Sequence, residues 1–106
     1  MDSFAAIAEP RRREIVMLLA NEGALTVTDI VQKFNVTPPA ISQHLKILKQ
    51  ANLVQVERRA QQRIYSLNTE GFDTMESFLS EIKKLWEGRL DRLDRYLVKL
   101  LKERKK

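Results

Sequence analysis

From Phe72 onward, apolar side chains recur at Phe72, Met75, Leu79, Ile82, Trp86, Leu90, Leu93, Leu97 and Leu100, in steps of three and four. That spacing is the signature of one apolar stripe on a helix. Charged residues fill the other faces, and Asp91 stands four residues ahead of Arg95, the spacing of an intrahelical ion pair. Asn68 suits the N-cap, Glu70 and Asp73 suit the positive end of the helix, and Gly71 weakens the first turn slightly. The pattern predicts a single helix over residues 69–102. Roughly thirty residues at about 1.5 Å each make a rod near 45 Å long. A chain of 106 residues is expected to form one domain with a small core. Nothing left in such a domain covers the whole stripe. The simplest cover is the same helix from a second copy, which predicts a homodimer with Leu79, Ile82, Trp86, Leu90, Leu93 and Leu97 on its seam. The basic tail, residues 99–106, is expected to fray.

A second helix, over residues 37–51, is built differently. Thr37 is a good N-cap and Pro38 fits the first helical position, where a missing N–H costs nothing. Ile41, Leu45 and Leu48 form a stripe for burial. The opposite face carries Pro39, Ser42, Gln43, Lys46 and Gln50, with hydroxyl and amide groups, one cation and no carboxylate. A solvated face usually mixes both charge signs. This one suits base edges and phosphates in a major groove. Asn52, after Ala51, tolerates the left-handed backbone that ends a helix.

The net charge of +5 becomes informative once located. Residues 33–68 hold six cations (Lys33, Lys46, Lys49, Arg58, Arg59, Arg63) against one anion, Glu57, and the rest of the chain sums to zero. An excess confined to one region favours a polyanionic partner. There is no cysteine, which excludes disulfides, thiolate metal sites and thiol redox sensing. No apolar run approaches membrane-spanning length and no signal peptide is apparent, so a cytoplasmic protein is expected. No paired-carboxylate cleft, cysteine nucleophile or glycine-rich phosphate loop points to an enzyme.

Taken in order, residues 2–8 read as a short helix with Phe4, Ile7 and Ala8 available for burial. Pro10 opens the next helix, with Ile15, Leu18 and Leu19 inward and Gly23 at its left-handed end. Arg11, Arg12 and Arg13 are read either as a solvated first turn or as phosphate contacts. Thr26 and Asp29 fit a capping box ahead of Ile30, Val31 and Phe34. Two helices joined by so short a turn, the second with an outward polar face, form a helix-turn-helix pattern. Residues 54–58 and 63–67 alternate apolar and polar, as two strands do. They predict a hairpin wing over residues 54–67, with residues 59–62 as its tip and Arg58, Arg59 and Arg63 beside the recognition helix. An edge hairpin carries charge against aggregation, but three arginines against one Glu exceed that need. The fold class is therefore mainly α with a small β-hairpin, a winged helix-turn-helix with a long C-terminal dimerisation helix.

The order of elements resembles the ArsR family of winged helix-turn-helix repressors along essentially the whole chain. Residues 8–12 (AEPRR), 41–48 (ISQHLKIL), 51–54 (ANLV) and 63–67 (RIYSL) carry the resemblance. It implies a symmetric dimer joined by its first and last helices, which adds Phe4 and Ile7 to the dimer seam, and repression by covering an operator. Arsenic- and cadmium-sensing members carry a cysteine pair before an Asp in the third helix. The matching positions are Thr26 and Thr28 before Asp29. Zinc-sensing members use His and carboxylates on the last helix, which has no His here; the single histidine, His44, lies in the recognition helix. Asp91 and Asp94 have Arg92 and Arg95 as neighbours, which favours solvated ion pairs over a metal.

The expected function is a homodimeric, sequence-specific DNA-binding repressor without cofactor or metal control, acting on a palindromic duplex operator. The expected contacts are Thr37, Pro39, Ala40, Ser42, Gln43, His44, Lys46, Arg58, Arg59 and Arg63. Ser42 and Gln43 are assigned to base edges, and Lys46 and the wing arginines to phosphates or the minor groove. His44 is as well suited to packing at the helix edge as to DNA. The rival reading is a dimeric protein–protein module whose winged domain docks a partner.

Overall fold

The computed structural model describes residues 2–104. The elements in order are α1 (Ser3–Ala8), α2 (Pro10–Glu22), β1 (Leu25–Thr26), α3 (Val27–Lys33), α4 (Pro38–Gln50), β2 (Val54–Arg59), β3 (Gln62–Leu67) and α5 (Thr69–Arg104). Contacts divide the chain into two compact units, the first running to Met75 and the second starting at Glu76.

In the first unit each helix begins where a side chain satisfies free amides. Asp2 Oδ1 accepts from Ala5 N at 2.8 Å, and Glu9 Oε2 accepts from Arg12 N at 2.9 Å. The capping box at α3 is reciprocal: Asp29 N donates to Thr26 Oγ1 at 3.1 Å and Thr26 N to Asp29 Oδ2 at 3.2 Å. Thr37 Oγ1 accepts from Ala40 N at 3.4 Å, with Pro38 at the first helical position.

Of the arginine triplet, Arg12 is buried and Arg13 stays exposed, yet both are hydrogen-bonded within the chain. A helix leaves its last four carbonyls without partners, and in α1 these are Ala5, Ala6, Ile7 and Ala8. Arg12 donates to Ala6 O at 2.6 Å and Ala5 O at 3.5 Å, and Arg13 donates to Ile7 O and Ala8 O, both at 2.9 Å. Two side chains of α2 thereby cap all four. Arg11 pairs with Glu14 at 2.8 Å and lies 5.1 Å over the Phe34 ring, tying α2 to α3. The clamp on α1 turns Ser3 and Ala6 inward and leaves Ala8 and Phe4 exposed, in place of the expected burial of Phe4 and Ala8; Ile7 is half-buried.

The core gathers Ile15 and Leu19 of α2, Ile30 of α3, Ile41, Leu45 and Leu48 of α4, Leu53 and Val54 after it, and Tyr65 of β3. Each fully buried Leu, Ile or Val stabilises by roughly 1.5–3 kcal/mol. The sheet is antiparallel in the order β1-β3-β2. Its first strand, two residues pairing Leu25 with Tyr65 and Thr26 with Ile64, escapes sequence reading because two residues carry no period. The hairpin register pairs Arg59 with Gln62, so both strands run one residue further than their alternation suggests and the tip is only Ala60-Gln61. Ala60 takes a positive φ of 54° there, an unfavourable conformation for a residue with Cβ. Gly23 ends α2 with φ 81° as expected, but its ψ of −150° lies outside the left-handed helical region.

Helix α4 ends in a Schellman arrangement. Asn52 has φ 59°, Asn52 N donates to Lys49 O at 3.1 Å and Leu53 N to Leu48 O at 3.0 Å. The start of α5 is laid against this corner: Asn68 Oδ1 accepts from Glu70 N, and Gly71 N donates to Asn52 O at 2.9 Å. A Cβ at Gly71 would stand 2.7 Å from Ala51 O and 2.8 Å from Asn52 O. Gly71 is thus demanded by close approach, a reason invisible to helix propensity.

The second unit is α5 from Glu76. Leu79, Ile82, Trp86, Leu90, Leu93 and Leu97 are 42–57% exposed. The helix extends to Arg104, through most of the basic tail that begins at residue 99. The last two positions of the tail expected to fray lie outside the described residues.

Candidate nucleic-acid interface

Three elements of the first unit build this surface: α4, the hairpin after it and the turn that joins them. In α4 the apolar stripe is fully buried, with Ile41, Leu45 and Leu48 at 0% exposure. Burial of that stripe leaves Pro39, Ser42, Gln43, Lys46 and Gln50 facing out, all exposed. None of these five makes a side-chain hydrogen bond or ion pair to another described residue. Ala40 is half-buried, and Thr37 has its hydroxyl engaged at the cap. The polar face therefore holds donors and acceptors committed to no other described residue.

His44 is set apart from that face. Its side chain is 22% exposed, and Nδ1, buried without a hydrogen-bond partner, stands 4.0 Å from Glu9 Oε2. The imidazole sits beside Glu9, the N-cap of α2. Glu9 and His44 are 35 positions apart, and no local signal announces their meeting.

In the wing, Arg58 and Arg63 are Cα partners in the ladder and both are exposed. Arg59 pairs with Glu57 at 3.4 Å, an exposed contact worth at most about 1 kcal/mol. Gln55 donates to Ser66 at 3.3 Å across the same ladder. Lys49, in the last turn of α4, joins Arg58, Arg63, Val56 and Tyr65 around one cleft. Sequence reading counted Lys49 in the charge excess without assigning it a place. Only the hairpin register brings it to the arginines.

Among the described residues, no three His, Cys, Asp or Glu side chains lie close enough to hold a metal ion. The Thr26 hydroxyl, at one of the positions matched above to the cysteine pair of arsenic-sensing family members, is spent on the capping box. Among the described residues, no helix is long and apolar enough to cross a membrane.

Residues 9–56 match the family described as "Bacterial regulatory protein, arsR family". The chain is 48% identical over 66 residues to the transcriptional repressor SdpR of Bacillus subtilis strain 168, covering 62% of this chain and 72% of that protein. It is 40% identical over 67 residues to the arsenical resistance operon repressor of the same organism, covering 63% and 64% respectively. The crystal structure of the ArsR family transcriptional regulator RHA00566 superposes with a TM-score of 0.73 at 27% identity, covering 80% of this chain and 87% of that one.

Proposed function

The chain belongs to the arsR family of bacterial regulatory proteins, and from that premise we propose that it is a homodimeric, metal-independent repressor that reads its operator through α4. It is a DNA-binding transcriptional regulator with a winged helix-turn-helix fold, not an enzyme. The observation that carries the finer reading is the outward face of α4, where Ser42, Gln43 and Lys46 are exposed over a stripe at zero exposure. A rigid helix with a free amide, a hydroxyl and a cation is equipped to enter a major groove. Gln43 matches adenine by its bidentate amide, and Ser42 serves either base type. Lys46 and the wing arginines take phosphates, which position the protein without specifying sequence. The half-buried α1 residue Ile7, the exposed Phe4 and the exposed stripe of α5 are the proposed dimer seam. A two-fold dimer calls for a palindromic operator with half-sites about 34 Å apart, or a multiple of that. The proposed place of action is the cytoplasm.

Binding sites selected from random duplexes test this reading. Gln43→Ala is expected to relax preference at one base position per half-site, at a cost of about 1–3 kcal/mol, while leaving affinity for random duplex unchanged. Equal losses on both duplexes would remove Gln43 from the readout. If the parent shows no salt-sensitive duplex binding, the winged domain is a protein-docking module instead.

Metal independence rests on donor chemistry: no thiolate, threonines at the arsenic-type positions and a single imidazole set against Glu9. Operator affinity is expected to hold within tenfold, about 1.4 kcal/mol of coupling, in micromolar zinc, cadmium, nickel or arsenite. A reproducible larger loss with any one of them would overturn it.

A further inference from the structure

The cleft at the base of the wing has a volume of about 300 Å³ and is lined by Lys49, Arg58 and Arg63, with Val56 and Tyr65 as its apolar wall. Arg58 and Arg63 stand directly opposite each other in the ladder, a placement in which like charges oppose folding. Among the described residues none of the three cations has a carboxylate within 4.0 Å. Two bland accounts fall short. The negative end of α4 accounts for Lys49 alone. Protection of a hairpin edge needs charge on the wing but no convergence, and Arg59, already paired with Glu57, supplies such a charge. Three cations facing one concavity, unrelieved from within, call for an anion from outside. The buried Tyr65 and half-buried Val56 limit water on one side, which strengthens the attraction.

We propose that this cleft seats one backbone phosphate of the bound duplex, held jointly by Lys49, Arg58 and Arg63. The proposal rests on the DNA-binding reading and goes beyond it in two respects. Lys49 becomes a DNA ligand, and three cations serve one phosphate where an exposed wing would give each its own. Arg59 lies outside the seat. Because the three act on one group, the site is a register mark: it fixes how far α4 slides along its groove.

The test uses the full chain and the variant Lys49→Gln/Arg58→Gln/Arg63→Gln, with circular dichroism to establish folding. The variant is expected to melt no lower than the parent, since a like-charge pair is removed. Each phosphate contact contributes about 0.9 to the slope of log affinity against log salt. Loss of one shared phosphate per subunit flattens the slope by about 0.9 per subunit, equally on operator and random duplex. Flattening by about 2.7 per subunit, three separate phosphates, would overturn the shared seat. An unchanged slope would overturn the site altogether. A parent that binds no duplex would fail the DNA-binding reading, and a second measurement then judges the cleft by itself. Inorganic phosphate, compared with chloride at matched ionic strength, raises the melting temperature of the parent and not of the variant if the cleft binds a phosphate group. Such a rise without duplex binding would overturn the duplex as its source in favour of a free phosphate ester. No rise and no duplex binding would overturn both.

Discussion

Helix α4 and the second half of α5 carry the same pattern and meet opposite fates. Both place apolar residues in steps of three and four, and both cover the remaining faces with polar groups. In α4 the stripe is sealed at 0% exposure by the rest of the first unit. In α5 beyond Glu76 the equivalent residues stand about half exposed, Leu93 at 51% and Trp86 at 57%. Periodicity specifies that a face is to be buried; it does not name what buries it. For α4 the partner lies within 106 residues. For α5 it lies in another molecule on the proposed reading, since a single short domain has too little surface to cover so long a rod.

The sharpest way to break this contrast is Leu93→Glu. In a two-fold interface it buries two unpaired like charges, at a cost of at least about 3–5 kcal/mol of association. Sedimentation at micromolar concentration is expected to show monomer in place of dimer. The parent species persisting would locate the dimer surface elsewhere. Leu45→Ala tests the other side. Its cavity in a closed core is expected to cost about 2–5 kcal/mol in urea unfolding, to the same extent at every protein concentration. A cost that grew on dilution would mean α4 also depends on the partner. Gly71→Ala probes the corner between the two helices, where the added methyl meets the carbonyls of Ala51 and Asn52. The expected loss is about 1–3 kcal/mol. Neutral or improved stability would show that the α5 start can shift away from the end of α4 without consequence.

Much of this was legible in the residues because it is local. Caps at Thr26, Thr37 and Asn68, the left-handed Asn52, both hairpin strands and the two amphipathic stripes each rest on residues within a few positions of one another. The outward face of α4 follows from its inward one, because 3.6 residues per turn leave no freedom once Ile41, Leu45 and Leu48 are buried. What the tertiary structure decided is what depends on distant pairs. Arg12 and Arg13 cap the carbonyls of a different helix, so two members of a triplet read as solvated charge or as phosphate contacts hold α1 in place. Gly71 matters because α5 starts against the end of α4, and His44 comes within 4.0 Å of Glu9, a residue 35 positions away. Lys49 joins Arg58 and Arg63 through a chain reversal that composition does not encode. The physical reason is common to all four. Local patterning is set by backbone geometry repeated every few residues, whereas a side chain's partner is whatever the packed core brings within hydrogen-bond or Coulomb range.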